Sequence, residues 1–191
     1  MALIVISGKA RVGKDTLAEF LKKNFVENYF TMAYADELKR RCMKDFELSR
    51  DQVYGDLKEV PDIRYTKVVD YDADTLPYWT PREIMQHMGT EAYRAVDANF
   101  WIKQLCKYID RNKLTNVIVT DARFPNEVNA IKERGGIHIR VTRENAMEVH
   151  GMSHASETSL DSHMDIDFEV VNNGTLKDLE DMAKKIIKEI E

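Results

Sequence analysis

The sequence predicts a three-layer α/β protein, a parallel sheet with helices on both of its faces. Three observations carry that prediction. Short runs that are apolar along their whole length recur down the chain, as strands covered on both faces require. Stretches with apolar residues at the 3.6-residue helical spacing alternate with them. A Gly-rich loop, Gly8-Lys9-Ala10-Arg11-Val12-Gly13-Lys14-Asp15-Thr16, joins the first apolar run to the first helical pattern. Strands that alternate with helices imply right-handed crossovers and hence parallel pairing. With 191 residues the chain is the size of a single domain, 1–191, with one sizeable core and a small lid or insertion.

Ala2 to Ser7 is the first continuous apolar strand. From Lys14 the pattern turns helical, with Leu17, Phe20, Leu21 and Phe25 on one face. Tyr29 to Ala35 reads as a short strand, and Asp36 as the cap of a helix through Leu38, Cys42 and Met43. Gly55 to Tyr78 is irregular and polar around VVDYDADTLPYW, so an insertion is expected at about 45–80. Thr80-Pro81-Arg82-Glu83 combines a hydroxyl cap, a proline in the first turn and an acid three residues after the cap. Helical periodicity then continues through Ile84, Met88 and Ala92, and a further helix from about Ala98 to Asn112 carries Trp101, Leu105, Tyr108 and Ile109. Val117 to Thr120 is a strand ending at Asp121; Pro125 to Arg134 is a helix stopped by Gly135-Gly136; Ile137 to Val141 is another strand. The segment at about 142–165 is polar, with few apolar anchors, and reads as a lid. Asp167 to Val171 is the last strand. Thr175, with Asp178 three residues on, caps a closing helix with apolar positions at Leu176, Leu179, Met182, Ile186 and Ile190.

Composition narrows the class of function. Hydrophobic residues make up 43% and charged residues 32%, as in soluble globular proteins. No apolar run approaches the roughly 18 residues of a membrane span, and no cleavable signal pattern is present, so no membrane partner is expected. Cys42 and Cys106 are far apart, without metal-ligand spacing or a disulfide framework, which fits a reducing cytoplasm. A net charge of −5 gives no global field for gripping a nucleic-acid backbone. An anionic ligand must be held by a local cluster of cations and backbone amides.

The Gly-rich loop has the spacing of a phosphate-binding P-loop, except that Asp15 stands where Ser or Thr is usual. Gly8 and Gly13 let the backbone curl so that its N–H groups face phosphate oxygens, the helix from Lys14 adds its positive end, and Lys14 adds a mobile charge. Thr16 supplies a hydroxyl one position late. Asp15 reads either as a ligand of Mg²⁺ between it and the phosphates, or as an acid favoured by the helix dipole, and the two roles can coexist. Asp121, Arg123 and Glu127 fall in one short turn at the carboxyl end of a strand, where ligands bind in open α/β sheets. Asp121 suits a metal shell or a substrate group and Arg123 a bidentate phosphate clamp; the plainer reading is a strand-end ion pair. Arg140 and Arg143 flank the start of the lid and, with Arg11, would neutralise a transferred phosphoryl group while water is excluded; each also reads singly as a surface charge. His154 and Glu157 suit lid latches, and the five histidines form no metal constellation. Trp101, on an apolar helical face, reads as core, with stacking on a nucleobase as the alternative.

Several blocks together, in order along nearly the whole chain, resemble the bacteriophage deoxynucleoside monophosphate kinases. They are SGKARVGKDTLAEF, PREIMQHMGTEAYRAVDANFWI, VIVTDARFPNEVNAIKERGG, IHIRVTR, SHASE and DFEVVNNGTLKDL. The resemblance is weakest between about Asp45 and Tyr78. It implies a P-loop kinase fold with a five-stranded parallel sheet, and transfer of the ATP γ-phosphoryl group to a deoxynucleoside 5′-monophosphate with Mg²⁺. By this resemblance Gly13, Lys14, Asp15 and Thr16 hold ATP phosphates and metal, and Arg11 faces the transferred group. Asn172-Asn173-Gly174 lies beside adenine. Gly89, Thr90 and Trp101 line the acceptor pocket, and Asp121, Arg123 and Glu127 contact the acceptor. Lys39, Arg64 and Arg82 are unranked candidates for its phosphate. A homodimer is plausible on the same ground. The rival readings are a related kinase acting on a modified base in DNA or on phosphomevalonate, and a P-loop switch that is not a kinase.

Overall fold

The computed structural model describes residues 2–26, 28–67, 78–144 and 158–190. The centre of the expected insertion, 68–77, and most of the expected lid, 145–157 with His154 and Glu157, lie outside the described residues. Five strands form one sheet: β1 (Ala2–Ser7), β2 (Phe30–Met32), β3 (Asn116–Ala122), β4 (Ile137–Thr142) and β5 (Phe168–Val171). Their order is β2-β3-β1-β4-β5 and every neighbouring pair is parallel, as expected. β1 is central, which explains its unbroken apolar run: Leu3, Ile4, Val5 and Ile6 are all at most 2% exposed. The edge strand β2 is only three residues long, shorter than the Tyr29 to Ala35 expected, and its Phe30 is exposed.

The chain divides into two compact units, Met1–Tyr34 with Ile102–Glu191, and Ala35–Trp101. In the first, side chains alternate across the sheet with the strand period of two. Ile4, Ile6, Ile118, Ile139 and Val141 lie in one core cluster with Leu17, Ala18 and Leu21 of α1 (Lys14–Asn24). Leu179, Ala183, Ile186 and Ile187 of the closing helix, Leu176–Ile190, complete that cluster. The helix Pro125–Lys132 packs against β1 and β4 and buries Val128 and Ile131. The helix Phe100–Arg111 buries Leu105 and Ile109, whereas Tyr108 is exposed. Leu176, expected on the apolar face, is also exposed, since it opens the helix before the first buried turn. Each fully buried aliphatic side chain contributes about 1.5–3 kcal/mol, whereas an exposed ion pair such as Lys9–Asp161 adds at most about 1 kcal/mol.

The second unit is helical. In chain order its elements are α2 (Ala35–Asp45), α3 (Arg50–Tyr54), a 3₁₀ turn (Asp56–Glu59) and α4 (Pro81–Gln86); α4 runs through a π-turn, His87–Ala92, into α5 (Tyr93–Val96). Phe100–Arg111, Pro125–Lys132 and Leu176–Ile190 follow as α6, α7 and α8. Asp36 lies inside the first turn of α2 instead of capping it, one residue past the helix start. The Thr80 capping box is present as read: Thr80 Oγ1 accepts from the Glu83 amide at 3.2 Å, and Glu83 Oε2 accepts from the Thr80 amide at 2.8 Å. Cys42, Leu48, Val53 and Ile84 form this unit's core. Burial raises the Cys42 thiol pKa to about 11, which makes it inert packing at neutral pH.

Candidate active site

The phosphate-loop reading makes a conformational demand that the backbone meets. Gly8 and Gly13 have φ of 144° and 102°, and Arg11 between them has φ of 63°. These values sit in the region that turns amide groups inward to form an anion-binding nest. Space is as restrictive as conformation: a Cβ on Gly8 would stand 2.2 Å from the Val141 carbonyl oxygen, and one on Gly13 would stand 2.4 Å from Asn172 Nδ2. Asn172 is buried just beyond β5, and its Nδ2 donates to the Val12 carbonyl at 2.8 Å. The loop is thereby tied to the far side of the sheet. Lys14 Nζ donates to the Lys9 carbonyl at 2.8 Å, which folds its charge back over the loop. Asp15 is exposed in the first turn of α1, with Thr16 half-buried beside it.

A cleft of about 360 Å³ opens at the carboxyl ends of β1, β3 and β4. Its lining brings together Gly8, Arg123, Arg140 and Arg143 with Lys9, Thr142, Asp161 and Glu169. Gly13, Arg11, Lys14, Asp15 and Thr16 belong to the adjoining loop and helix start, and Asn173 and Gly174 follow β5; none of these lines the cleft. The Asn173 side-chain oxygen instead accepts from the Glu144 amide at 2.9 Å, and Gly174 packs within 2.6 Å of Asp178 Oδ2 if given a Cβ. Arg140 is a strand residue whose Nη2 donates to the carbonyls of Leu160 and His163 at 2.8 and 2.5 Å. Those bonds brace the described end of the lid segment.

The Asp121–Glu127 turn is held by hydrogen bonds to backbone groups. The pairing of β1 with β3 slips between Val5 and Ser7, where Val5 faces Val119 but Ser7 faces Ala122. The extra residue is a bulge at Thr120–Asp121, which re-aims the aspartate side chain. Asp121 Oδ1 accepts the Tyr34 amide at 2.7 Å, and Tyr34 donates its hydroxyl to the Glu127 carbonyl at 2.7 Å. Glu127 is buried, and its Oε2 accepts from the amides of Arg123 and Phe124 at 2.8 and 3.1 Å. Its carboxylate thereby holds the α7 start and the Arg123 backbone. Behind the loop, the buried His138 ring is within 2.6 Å of the Asp165 carbonyl through Nδ1, which must therefore be the protonated nitrogen. Nε2 then accepts from Ser7 Oγ at 2.7 Å. Burial, helped by Arg140 and His163, holds the His138 pKa below its ordinary value.

In the second unit the structure places Gly89 and Thr90 inside the π-turn. π-bulges cluster at functional sites because the wider turn frees backbone carbonyls. The Gly89 carbonyl accepts the Trp101 indole N–H at 2.8 Å, and a Cβ on Gly89 would stand 2.8 Å from Leu38 Cδ2. Trp101 is 4% exposed and is flanked by Tyr93 and Phe100 at 5.0 and 4.8 Å. It is a clamp on the π-turn with no open face for stacking. The three cations left unranked also separate. Arg82 pairs with Glu59, Lys39 lies 4.8 Å over the Tyr54 ring, and Arg64 is held bidentately by Asp62 at 2.9 and 2.6 Å. Asp62 is buried and also accepts from Gln52 Nε2 at 2.8 Å; the Arg64 bonds hold its pKa well below the carboxylate range.

The family described as deoxynucleotide monophosphate kinase matches residues 49–184. The chain belongs to that family. It is 32% identical over 197 residues to a protein of Acanthamoeba polyphaga mimivirus whose name assigns it provisionally to deoxynucleotide monophosphate kinase activity, covering 93% of this chain and 92% of that one. It is also 23% identical over 242 residues to the deoxynucleotide monophosphate kinase of Enterobacteria phage T4, covering 98% and 99% of the two chains. A crystal structure of an unliganded sugar kinase from a Janibacter species superposes with a TM-score of 0.51 at 11% identity, over 98% of this chain and 95% of that one. That likeness concerns the fold alone.

Within the kinase family frame, the residues that sequence reading missed are of two kinds. Lys9 and Asp161 line the cleft, but their roles depend on which loops meet at the strand ends, and no local pattern carries that. Ser7, His138 and Tyr34 support the loop and the bulge from inside, where a polar residue in an apolar strand is the available signal: Ser7 ends the first apolar run and His138 interrupts IHIRV.

Proposed function

We propose that the chain transfers the γ-phosphoryl group of ATP to a deoxynucleoside 5′-monophosphate, giving ADP and a deoxynucleoside diphosphate. The observation that carries this reading is the cleft of the first unit, in which three arginines, Arg123, Arg140 and Arg143, converge with the P-loop glycine Gly8. A concentration of guanidinium groups on a protein of net charge −5 is what a polyphosphate site requires. In this reading the nest between Gly8 and Gly13 and the N-terminus of α1 hold the ATP phosphates. Lys14 exchanges the Lys9 carbonyl for an outer phosphate oxygen. Arg11, Arg123 and Arg143 neutralise the charge of the transferred group, and Arg140, already braced against Leu160 and His163, positions the segment that borders them.

The acceptor oxygen is already anionic, so no protein nucleophile or obligatory base is needed. Catalysis is alignment and electrostatic stabilisation. Asp121 and Glu127 act as positioning residues, fixing Tyr34 and the Arg123 backbone. Gly89 and Thr90, clamped by Trp101, belong to the acceptor side, as does Arg64. Mg²⁺ fits the residues present: this ion needs only one or two protein oxygens when phosphates supply the rest, and exposed Asp15 and half-buried Thr16 in the first turn of α1 offer a carboxylate and a hydroxyl. Asp15 and Thr16 are the residues that would hold it, directly or through water. Bound there, the ion would screen the repulsion between ATP's outer phosphates and the Asp15 carboxylate. The test is coupled ADP release from ATP and Mg²⁺ with each deoxynucleoside monophosphate in turn, including hydroxymethylated pyrimidines. Stimulation by at least one of them is expected; rates equal to ATP alone for all of them contradict the reading.

A further inference from the structure

The first unit carries a chain of polar groups on the sheet face turned away from its main core. Ile139 and Val141 of β4 point into that core, so His138 and Arg140, which alternate with them, point to the opposite face. The segment 158–167, which leads into β5, is seated on these two side chains. Arg140 donates to the Leu160 and His163 carbonyls, and His138 Nδ1 to the Asp165 carbonyl. The far end of the seat is rigid. The Asp167 amide donates to the His138 carbonyl at 3.0 Å, and the His138 amide donates to Asp167 Oδ2 at 2.7 Å. Lys132 Nζ stands 3.2 Å from the Asp165 carboxylate and 2.7 Å from that of Asp167.

The near end of the chain is Ser7, where the phosphate loop begins and β1 is least fixed. Register with β3 slips between Val5 and Ser7, so only β4 still pairs evenly with Ser7, through Arg140. Gly8 follows at φ 144° and packs so tightly on the Val141 carbonyl that a displacement at Ser7 becomes a collision or a gap at Gly8. The Ser7 hydroxyl, donating to His138 Nε2, supplies the hold that the slipped ladder lacks. An apolar pair would fill this space without the desolvation that a buried hydroxyl and imidazole require, so packing alone gives no reason for the bond. The Lys9–Asp161 pair at 3.7 Å also joins loop and segment, but it is exposed and adds little.

We infer that Ser7 and His138 are positioning residues for the ATP phosphates: the bonds from the Asp165 carbonyl through His138 to Ser7 make the phosphate loop and the segment 158–167 move as one body. The inference rests on the reading of the loop as the ATP-phosphate site and goes beyond it by coupling that site to the segment. Coupling of this kind is reciprocal. What loosens the segment weakens ATP, and ATP tightens the segment.

The test uses ATP and Mg²⁺ without a monophosphate. By calorimetric titration, Ser7→Ala and His138→Phe should each raise the Kd for ATP about fivefold or more, the lower end of measured couplings. Both cut the same chain, so the double variant should lie within about twofold of the worse single one. His138→Gln keeps an acceptor for Ser7 and should return the Kd to within about threefold of the unaltered chain. In turnover, KM for the accepted monophosphate should stay within about twofold throughout. Hydrogen exchange gives a readout that a purely structural role would not move, and Ser7→Ala carries it even if His138→Phe does not fold. Saturating ATP should slow exchange of the 158–167 amides about fivefold or more in the unaltered chain, and less than about twofold in Ser7→Ala at its own saturation. Effects of the two substitutions that multiply, or ATP-induced slowing in Ser7→Ala equal to that of the unaltered chain, overturn the inference and leave the kinase reading standing. The predicted slowing without any deoxynucleoside diphosphate product keeps the inference and removes the kinase reading. No ATP binding by the unaltered chain overturns both.

Discussion

Lys14 and Asp62 show how a single residue can be read at two depths. Lys14 was legible in the sequence because the spacing from Gly8 and the helix behind it fix its place whatever the rest of the chain does. In the structure its ammonium rests on the Lys9 carbonyl, a neutral partner that a phosphate oxygen outcompetes. Lys14→Ala is expected to lower kcat by at least about 10²-fold, the size of one lost electrostatic contact to a transition state; near-normal turnover in a steady-state assay would contradict the phosphate-loop role. Asp62 carried no sequence signal, since one aspartate in an irregular stretch is unremarkable until its burial is known. It holds Arg64 bidentately, so under the proposed acceptor role of Arg64 the variant Asp62→Asn should raise KM for the monophosphate several-fold while kcat and KM for ATP stay within about twofold. A change confined to kcat would argue that Arg64 is aimed by something else. Trp101 is core, as its helical spacing suggests; what that spacing does not show is that Tyr93 and Phe100 are the side chains beside it.

Among the elements, the strands and the capping boxes were the most legible. A central parallel strand must be apolar along its buried length, and β1 from Ala2 to Ile6 and β3 from Val117 to Val119 are. The capping boxes at Thr80 and Thr175 are local chemistry that tertiary context had no reason to override; at the second, Asp178 Oδ2 accepts from the Thr175 amide at 2.7 Å. Thr80→Ala is expected to cost about 0.5–2 kcal/mol in urea unfolding, because the Glu83 amide loses its acceptor at the buried start of α4. No measurable loss would mean that α4 is held by Ile84 packing alone. The short helix α3 and the 3₁₀ turn after it, inside the expected insertion, carried no clear periodicity, and two irregularities within longer elements also escaped the sequence. The π-turn at His87–Ala92 leaves the apolar spacing through Ile84, Met88 and Ala92 looking like an ordinary helix, because one inserted residue shifts the register without breaking it. The bulge at Thr120–Asp121 is invisible for the same reason, as only the partner strand shows the slip.

For the molecule as a whole, pH reports on the buried chain that supports the phosphate loop. His138 is neutral in the fold, donating to Asp165 and accepting from Ser7, and burial lowers its pKa. The groups that face it besides these are Arg140 and His163, which oppose its protonation, and Asp167, which favours it. An unfolded histidine titrates near about 6.5. Below that value the unfolded chain binds a proton that the folded chain refuses, so stability is fully present above about pH 6.5 and declines as pH falls toward the depressed folded value. Urea midpoints at pH 5.5 and 7.5 should therefore differ more for the unaltered protein than for His138→Gln; equal differences would remove His138 from the account. This dependence could not be read from the sequence, where His138 is one polar letter in a strand, because it follows from burial between a carbonyl and a hydroxyl.

The central claim is that one chain moves a phosphoryl group from ATP to a deoxynucleoside monophosphate. The most direct measurement is product stoichiometry. After incubation with ATP, Mg²⁺ and a single deoxynucleoside monophosphate, the nucleotides are separated by anion exchange and counted. The account predicts deoxynucleoside diphosphate and ADP in equal amounts, with no inorganic phosphate beyond the background of ATP alone. ADP accompanied by an equal amount of inorganic phosphate, with the monophosphate unchanged for every base offered, would make the protein a hydrolase or switch and contradict the account.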